Sequence, residues 1–178
     1  MKKILQKEEK VLHQTAKEIP VEEIKTPKIK KIIKEMSDAL NSQNDGVAIA
    51  GPQIGYALRI FVVSGKIFDE DFIRGVGLEK IKKETHPNLV FINPKISKLS
   101  REKEWLMEGC LSVRWLYGQT HRSKKATITG YDEKGKKVTR GASGLLAQIF
   151  QHETDHLNGI LFTDHAKNVK EEKPLEHE

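Results

Sequence analysis

An α+β fold is what this sequence predicts: one domain over residues 1–178, with small mixed or antiparallel sheets packed around a central helix late in the chain. Three observations predict it. Short β-like runs recur along the chain, two segments carry helical spacing, and no internal repeat or low-complexity linker separates them. A length of 178 residues suits one hydrophobic core.

The first helix is announced by Thr26-Pro27, an N-cap followed by proline at the first helical position. Ile29, Ile32, Ile33, Met36 and Leu40 then recur every three or four residues, which gives one apolar stripe. The helix should end near Asn41, before the turn-forming Ser42-Gln43-Asn44-Asp45-Gly46. Arg59–Val63 reads as a strand with a buried run. Ser64–Asn88 is polar and glycine-containing, and reads as a surface excursion with a short helix near Leu78–Lys83. Leu89–Ile92 reads as a second strand, stopped by Asn93-Pro94. Lys125–Tyr131, the turn Asp132–Gly135 and the return Lys136–Thr139 form a hairpin signal, with Gly135 suited to a left-handed position.

The last helix carries the strongest pattern. Ser143 can cap it, Leu145, Leu146, Ile149, Phe150, His152, Glu153, His156 and Leu157 follow at helical spacing, and Gly159 is a natural stop. Beyond Phe162 the chain is mostly polar, and a frayed tail over about residues 166–178 is expected.

Composition excludes several classes. With 37% hydrophobic and 31% charged residues, wholesale disorder is excluded. No apolar run approaches the roughly 20 residues of a membrane-spanning helix, and the first residues lack the apolar stretch of a secretory signal. A cytoplasmic location without a membrane partner is expected. The net charge of +6 reads as a solvated Lys/Glu surface, because no aromatic-interleaved basic motif marks a dedicated nucleic-acid site. A single cysteine, Cys110, rules out an intramolecular disulfide framework.

His152-Glu153-Thr154-Asp155-His156 is an H-E-x-x-H sequence on the last helix. At about 3.6 residues per turn, His152 and His156 share one face and can chelate one metal ion. Glu153 sits one residue round, placed to reach a water at the metal without being a ligand. Leu145 and Ile149 continue that face as an apolar wall fit to receive a substrate side chain. A surface helix would not be apolar there, so a charged face holding two stray histidines is the weaker reading. A catalytic site typically needs a third protein ligand. Asp164, His165 and Glu171 lie downstream, but the H-E-x-x-H-x-x-G-x-x-H pattern would need a histidine where Phe162 stands. Upstream, Cys110 in Glu108-Gly109-Cys110-Leu111-Ser112 offers a thiolate, a good donor for a borderline-soft divalent ion.

Glu108–Ser112 and Gln151–Gly159 resemble two of the three signature motifs of peptide deformylases. Gly46-Val47-Ala48-Ile49-Ala50-Gly51-Pro52-Gln53 resembles the third, G-x-G-L-A-A-P-Q, and the three occur in the family's order. The resemblance implies a metal-dependent hydrolase acting on N-formylmethionyl nascent peptides, with formate and a free amino terminus as products. It implies Cys110, His152 and His156 as ligands of one divalent ion, with water completing the set. Ferrous iron would be the ion in the cell, and zinc, nickel or cobalt could replace it. Glu153 would move protons, while the Leu111 N–H and the Gln53 amide would stabilise the oxyanion. Gly46, Ala48, Leu145 and Ile149 would meet substrate. Glu108, Gln151 and Asp155 would support the ligands from behind, with Arg122 a candidate partner for Asp155. Nascent chains as substrates also imply work near the ribosome exit.

The chain departs from the family pattern at Ala48, Ile49 and Gly51. It departs again at Arg114-Trp115-Leu116-Tyr117-Gly118, where proline and a glycine-containing stretch are usual. An altered substrate wall is expected there. His13, His86, His121, His165 and His177 fit no ligand spacing. Core packing is expected for Trp105, and a place at the rim of the site is open to Trp115. The rival readings are an endopeptidase, which the upstream cysteine and Gln53 oppose, and an inactive ribosome-docking relative, which only the basic surface favours.

Overall fold

Residues 2–75 and 86–173 are described by the computed structural model of the chain. Thr26 caps α1, Pro27–Asn41, with its hydroxyl oxygen accepting from the Ile29 N–H, and the helix ends where the turn residues begin. A five-stranded antiparallel sheet follows in the order β1-β2-β3-β6-β7. Its strands are β1, Ala48–Ala50; β2, Ile60–Val63; β3, Leu89–Leu99; β6, Lys125–Tyr131; and β7, Lys137–Ser143. A three-stranded antiparallel sheet has the order β4-β5-β8, built from β4, Lys103–Gly109; β5, Leu116–Ser123; and β8, Lys167–Glu171. A single-turn helix, α2, spans Glu70–Ile73, and α3 spans Gly144–Leu157.

The two-residue period of the strands sorts the core onto two faces. Ala48, Ala50, Phe61, Val63 and Phe91 pack with Ala147, Ile149, Phe150 and Leu157 of α3. Ile49, Ile60, Val62 and Ile92 face the other way, onto Ile29, Ile32, Met36 and Leu40 of α1. The larger sheet is therefore covered on both sides near β1 and β2. Phe61, Phe91 and Phe150 interlock, with Phe91 5.0 Å from Phe61 and 5.3 Å from Phe150 between ring centroids. α3 also touches β5, so it spans the two sheets as the central helix expected from the sequence.

Several local expectations are corrected. Asn93-Pro94 does not stop the strand, because β3 continues to Leu99 through a bulge. Asn93 takes φ +50°, a conformation asparagine tolerates, and its side chain binds both backbone groups of Ile19 at 2.8 and 2.7 Å. The bulge removes Pro94, which has no N–H, from the ladder. The segment expected to fray past residue 166 instead forms β8 against β5, an exposed polar strand held by backbone pairing. The excursion after Ser64 is not wholly at the surface, since Ser64, Ile67 and Asp69 are buried. The helix expected near Leu78–Lys83 lies outside the described residues. Trp105 is 45% exposed rather than core, stacked on His121 across the β4–β5 pair at 4.9 Å. Ser143 stands at the N-cap of α3 without a capping side-chain bond. The hairpin turn does use Gly135, at φ +76°, and Gly159 follows α3 at φ +73°. No described helix is long and apolar enough to cross a membrane.

Candidate metal centre

β4 ends at Gly109, and the chain turns so that Cys110 faces α3. A Cβ at position 109 would stand 2.6 Å from the Tyr117 ring on β5, so a side chain there would require that ring to shift. Cys110 Sγ lies 3.2 Å from His156 Nε2. The donor atoms of Cys110, His152 and His156 all lie within 4.8 Å of one another, a spacing that suits ligands about one small ion. The sulfur also accepts from the Ser112 N–H at 3.4 Å and from Gln53 Nε2 at 3.6 Å.

The two imidazoles are prepared differently. His152 Nδ1 meets Glu108 Oε2 at 2.9 Å. That bond fixes the tautomer and leaves Nε2 for the centre. Burial opposes charge on His152, but hydrogen bonds with Cys110 and Glu108 outweigh it and push its pKa well above the ordinary value. Burial drives His156 the other way, well below the ordinary value, so its ring is neutral as a ligand requires. Thiol, neutral imidazole and carboxylate-oriented imidazole form a donor set that fits one divalent transition metal.

Behind them lies a buried charge network. Burial would raise the Glu108 carboxyl, but hydrogen bonds from His152 and Arg122 hold it far below the usual carboxylate range. Arg122 donates to Glu108 through Nε at 2.8 Å and Nη2 at 3.0 Å, and to Asp155 through Nη1 at 2.7 Å. The Arg122–Asp155 pairing was expected. The Arg122–Glu108 fork was not, because nothing in the sequence shows that both residues belong to one hairpin of mostly polar strands. Gln151 stands away from the centre, where its amide brackets both backbone groups of Ser123 at 2.9 Å and ties α3 to β5. Substituting Glu108 by Gln should lower metal affinity by about 10–100-fold. It should also cost about 3 kcal/mol of stability through the unbalanced Arg122. Metal titration and melting of the apo form check the two effects separately.

The centre opens into a cleft of about 310 Å³. Gly46, Ala48, Gln53, Leu111, Leu145, Ile149 and Glu153 all line it, so the residues from three separate motifs meet there. Glu153 is only 4% exposed, and its Oε2 has no hydrogen-bond partner among the described residues. Burial raises its pKa to about 7. Gln53 is held by the Ala50 N–H on its Oε1 and by Ser112 on its Nε2, which aims the amide toward the sulfur. Arg114 and Tyr117 also line the cleft, in the stretch where an altered substrate wall is expected, whereas Asp45, Met107 and Gln148 were not foreseen. None of the other described histidines joins the centre: His165 lies 3.4 Å from Asp155, His86 pairs with Asp69, and His121 stacks on Trp105. His177 lies outside the described residues. Trp115 lines a neighbouring hollow rather than the cleft.

The sequence model of the family described as polypeptide deformylase matches residues 1–172. The chain belongs to that family. A peptide deformylase of Carboxydothermus hydrogenoformans is 39% identical over 94% of this chain and 94% of its own length. Peptide deformylase 2 of Clostridium acetobutylicum is 35% identical over 92% and 94%. Among solved structures, a Synechococcus elongatus peptide deformylase in complex with actinonin is similar with a TM-score of 0.77 and 31% identity, covering 94% of this chain and 79% of that one. A Met-Ala-Ser-bound class I type b peptide deformylase of Acinetobacter baumannii gives 0.76 and 28%, covering 91% and 97%. The deformylase fold therefore agrees with the α+β architecture. The activity is that of the family, a metal-dependent hydrolysis that removes the N-formyl group from nascent peptides.

Proposed function

We propose that this chain deformylates N-formylmethionyl peptides at the cleft, with Cys110, His152 and His156 holding one divalent ion and Glu153 carrying the proton. The observation that carries this reading is the meeting of one sulfur and two imidazoles within 4.8 Å, beside a buried carboxylate whose Oε2 has no partner among the described residues. A divalent ion bound there supplies Lewis-acid polarisation and makes water more acidic. Ferrous iron is the ion the family resemblance favours, and zinc, nickel and cobalt suit the same donors.

The chain's own groups do the rest. Burial brings the Glu153 carboxyl to about 7, so it can accept a proton from the attacking water near neutral pH and return it to the departing amine. The Gln53 amide and the Leu111 N–H stand at the cleft wall, where they donate to the carbonyl oxygen as charge grows on it. Leu145 and Ile149 form the apolar wall for the methionine side chain, and Gly46 and Ala48 line the same cleft. Gln151 and Asp155 hold α3 in place behind its histidines. The substrate places the enzyme in the cytoplasm, close to the ribosome exit.

Protein loaded with iron and protected from oxygen should release formate from formyl-Met peptides and leave acetyl-Met peptides intact. A formate assay on the two series checks this. Equal cleavage of both, or of internal peptide bonds, would sink the reading.

A further inference from the structure

Arg114 lines the cleft. Its Nη1 and Nη2 fork onto the two carboxylate oxygens of Asp45 at 2.5 and 3.0 Å, and Nη2 also reaches Gln43 Oε1 at 3.0 Å. Its guanidinium lies over the Trp115 ring at 4.5 Å. A planar, bidentate, stacked guanidinium is more rigid than an ordinary surface pair. Asp45 belongs to the loop between α1 and β1 that carries Gly46. Arg114 belongs to the loop after Cys110 that carries Leu111. Gln6 grips that second loop from outside, through Leu111 O at 3.0 Å and the Arg114 N–H at 3.3 Å. The ion pair therefore joins two loops that both line the cleft.

Asp45, Arg114 and Tyr117 line both the cleft and an adjoining hollow of about 580 Å³, whose other charged residues are Glu172 and Lys173. The pair thus stands between the two spaces. Arg114 also lies within coulombic range of Cys110. A peptide in extended form advances about 3.3 Å per residue. One or two residues beyond a methionine held at the centre would reach the rim.

We propose that the Arg114–Asp45 pair is a specificity element for the residues that follow the methionine: it closes the rim with a neutralised wall, so that acidic and basic side chains there are accepted alike. This rests on the deformylase reading of the cleft. With both charges in contact, the field at the rim is small. Removing one partner leaves the other facing the substrate, and the sign of the preference follows the charge that remains. Asp45→Asn exposes a cation and should favour acidic residues. Arg114→Gln exposes an anion and should favour basic ones. The double variant carries neither and should return to the wild-type preference.

The test uses metal-loaded enzyme and formyl-Met-Glu-Ser and formyl-Met-Lys-Ser as substrates, with kcat/KM read for each. The Glu-to-Lys ratio should rise about fivefold in Asp45→Asn and fall about fivefold in Arg114→Gln, as expected for one partly exposed charge at the rim. Raising the salt should shrink both shifts. The products Met-Glu-Ser and Met-Lys-Ser should follow the same order as inhibitors. Ratios that stay at the wild-type value in both single variants, or move in one direction in both, overturn the proposal even if overall rates drop. Wild-type enzyme that releases no formate from either peptide removes the deformylase reading and this inference together. Formate release with unmoved ratios removes only the inference.

Discussion

Glu153→Ala should bind its metal as the wild type does while formate release falls roughly 10³-fold, the scale on which a positioned proton carrier acts. The residue is next to His152 in sequence yet its Oε2 bonds to none of the described residues, and it lines the cleft. A carboxylate so buried would be costly without a task. Removing it relieves that cost, so the variant should fold and melt no lower than the wild type. Metal analysis of the purified protein, together with kcat on a formyl-Met peptide, separates loss of chemistry from loss of the ion. Near-full deformylation by this variant would take Glu153 out of the mechanism. Glu153→Gln, which keeps the shape without the proton capacity, should be as slow.

Cys110→Ser carries the second large effect. A hydroxyl is a far poorer donor than a thiolate toward a borderline-soft ion. Loss of an outer partner already costs 10–100-fold in affinity, so loss of a ligand should cost roughly 100-fold or more. The local fold should survive, since the loop is fixed by other contacts. Val113 and Leu116 close backbone turns with the Cys110 and Val113 carbonyls at 3.1 and 3.0 Å, and Gln6 holds Leu111. The Ser112 N–H and Gln53 Nε2, which now point at sulfur, would be left with a weaker acceptor. Metal titration of the apo variant reads the effect directly, and normal iron binding with retained activity would count against Cys110 as a ligand.

Helices were legible because burial imposes a period. The stripe from Ile29 to Leu40 and the run from Leu145 to Leu157 each face a sheet, and both appear where the spacing puts them. The smaller sheet was not legible. β4 alternates exposed and half-buried residues such as Lys103, Glu104, Trp105 and Leu106, because it packs over little core, and β8 is exposed throughout. Their pairing rests on backbone bonds, which leave no mark on side-chain pattern. The site divides in the same way. Cys110, His152, Glu153 and His156 stand in short motifs whose chemistry shows in one dimension. The Glu108–Arg122 fork and the Arg114–Asp45 pair depend on strand register and on two loops meeting at the cleft, which no local pattern encodes.

The central claim is that a thiol and two imidazoles from distant parts of the chain bind one ion. X-ray absorption at the metal edge of zinc-reconstituted protein tests it most directly. One sulfur at about 2.3 Å and nitrogens at about 2.0–2.1 Å are expected, with the sulfur shell absent in Cys110→Ser. A wild-type spectrum fitted by nitrogen and oxygen alone would contradict the account.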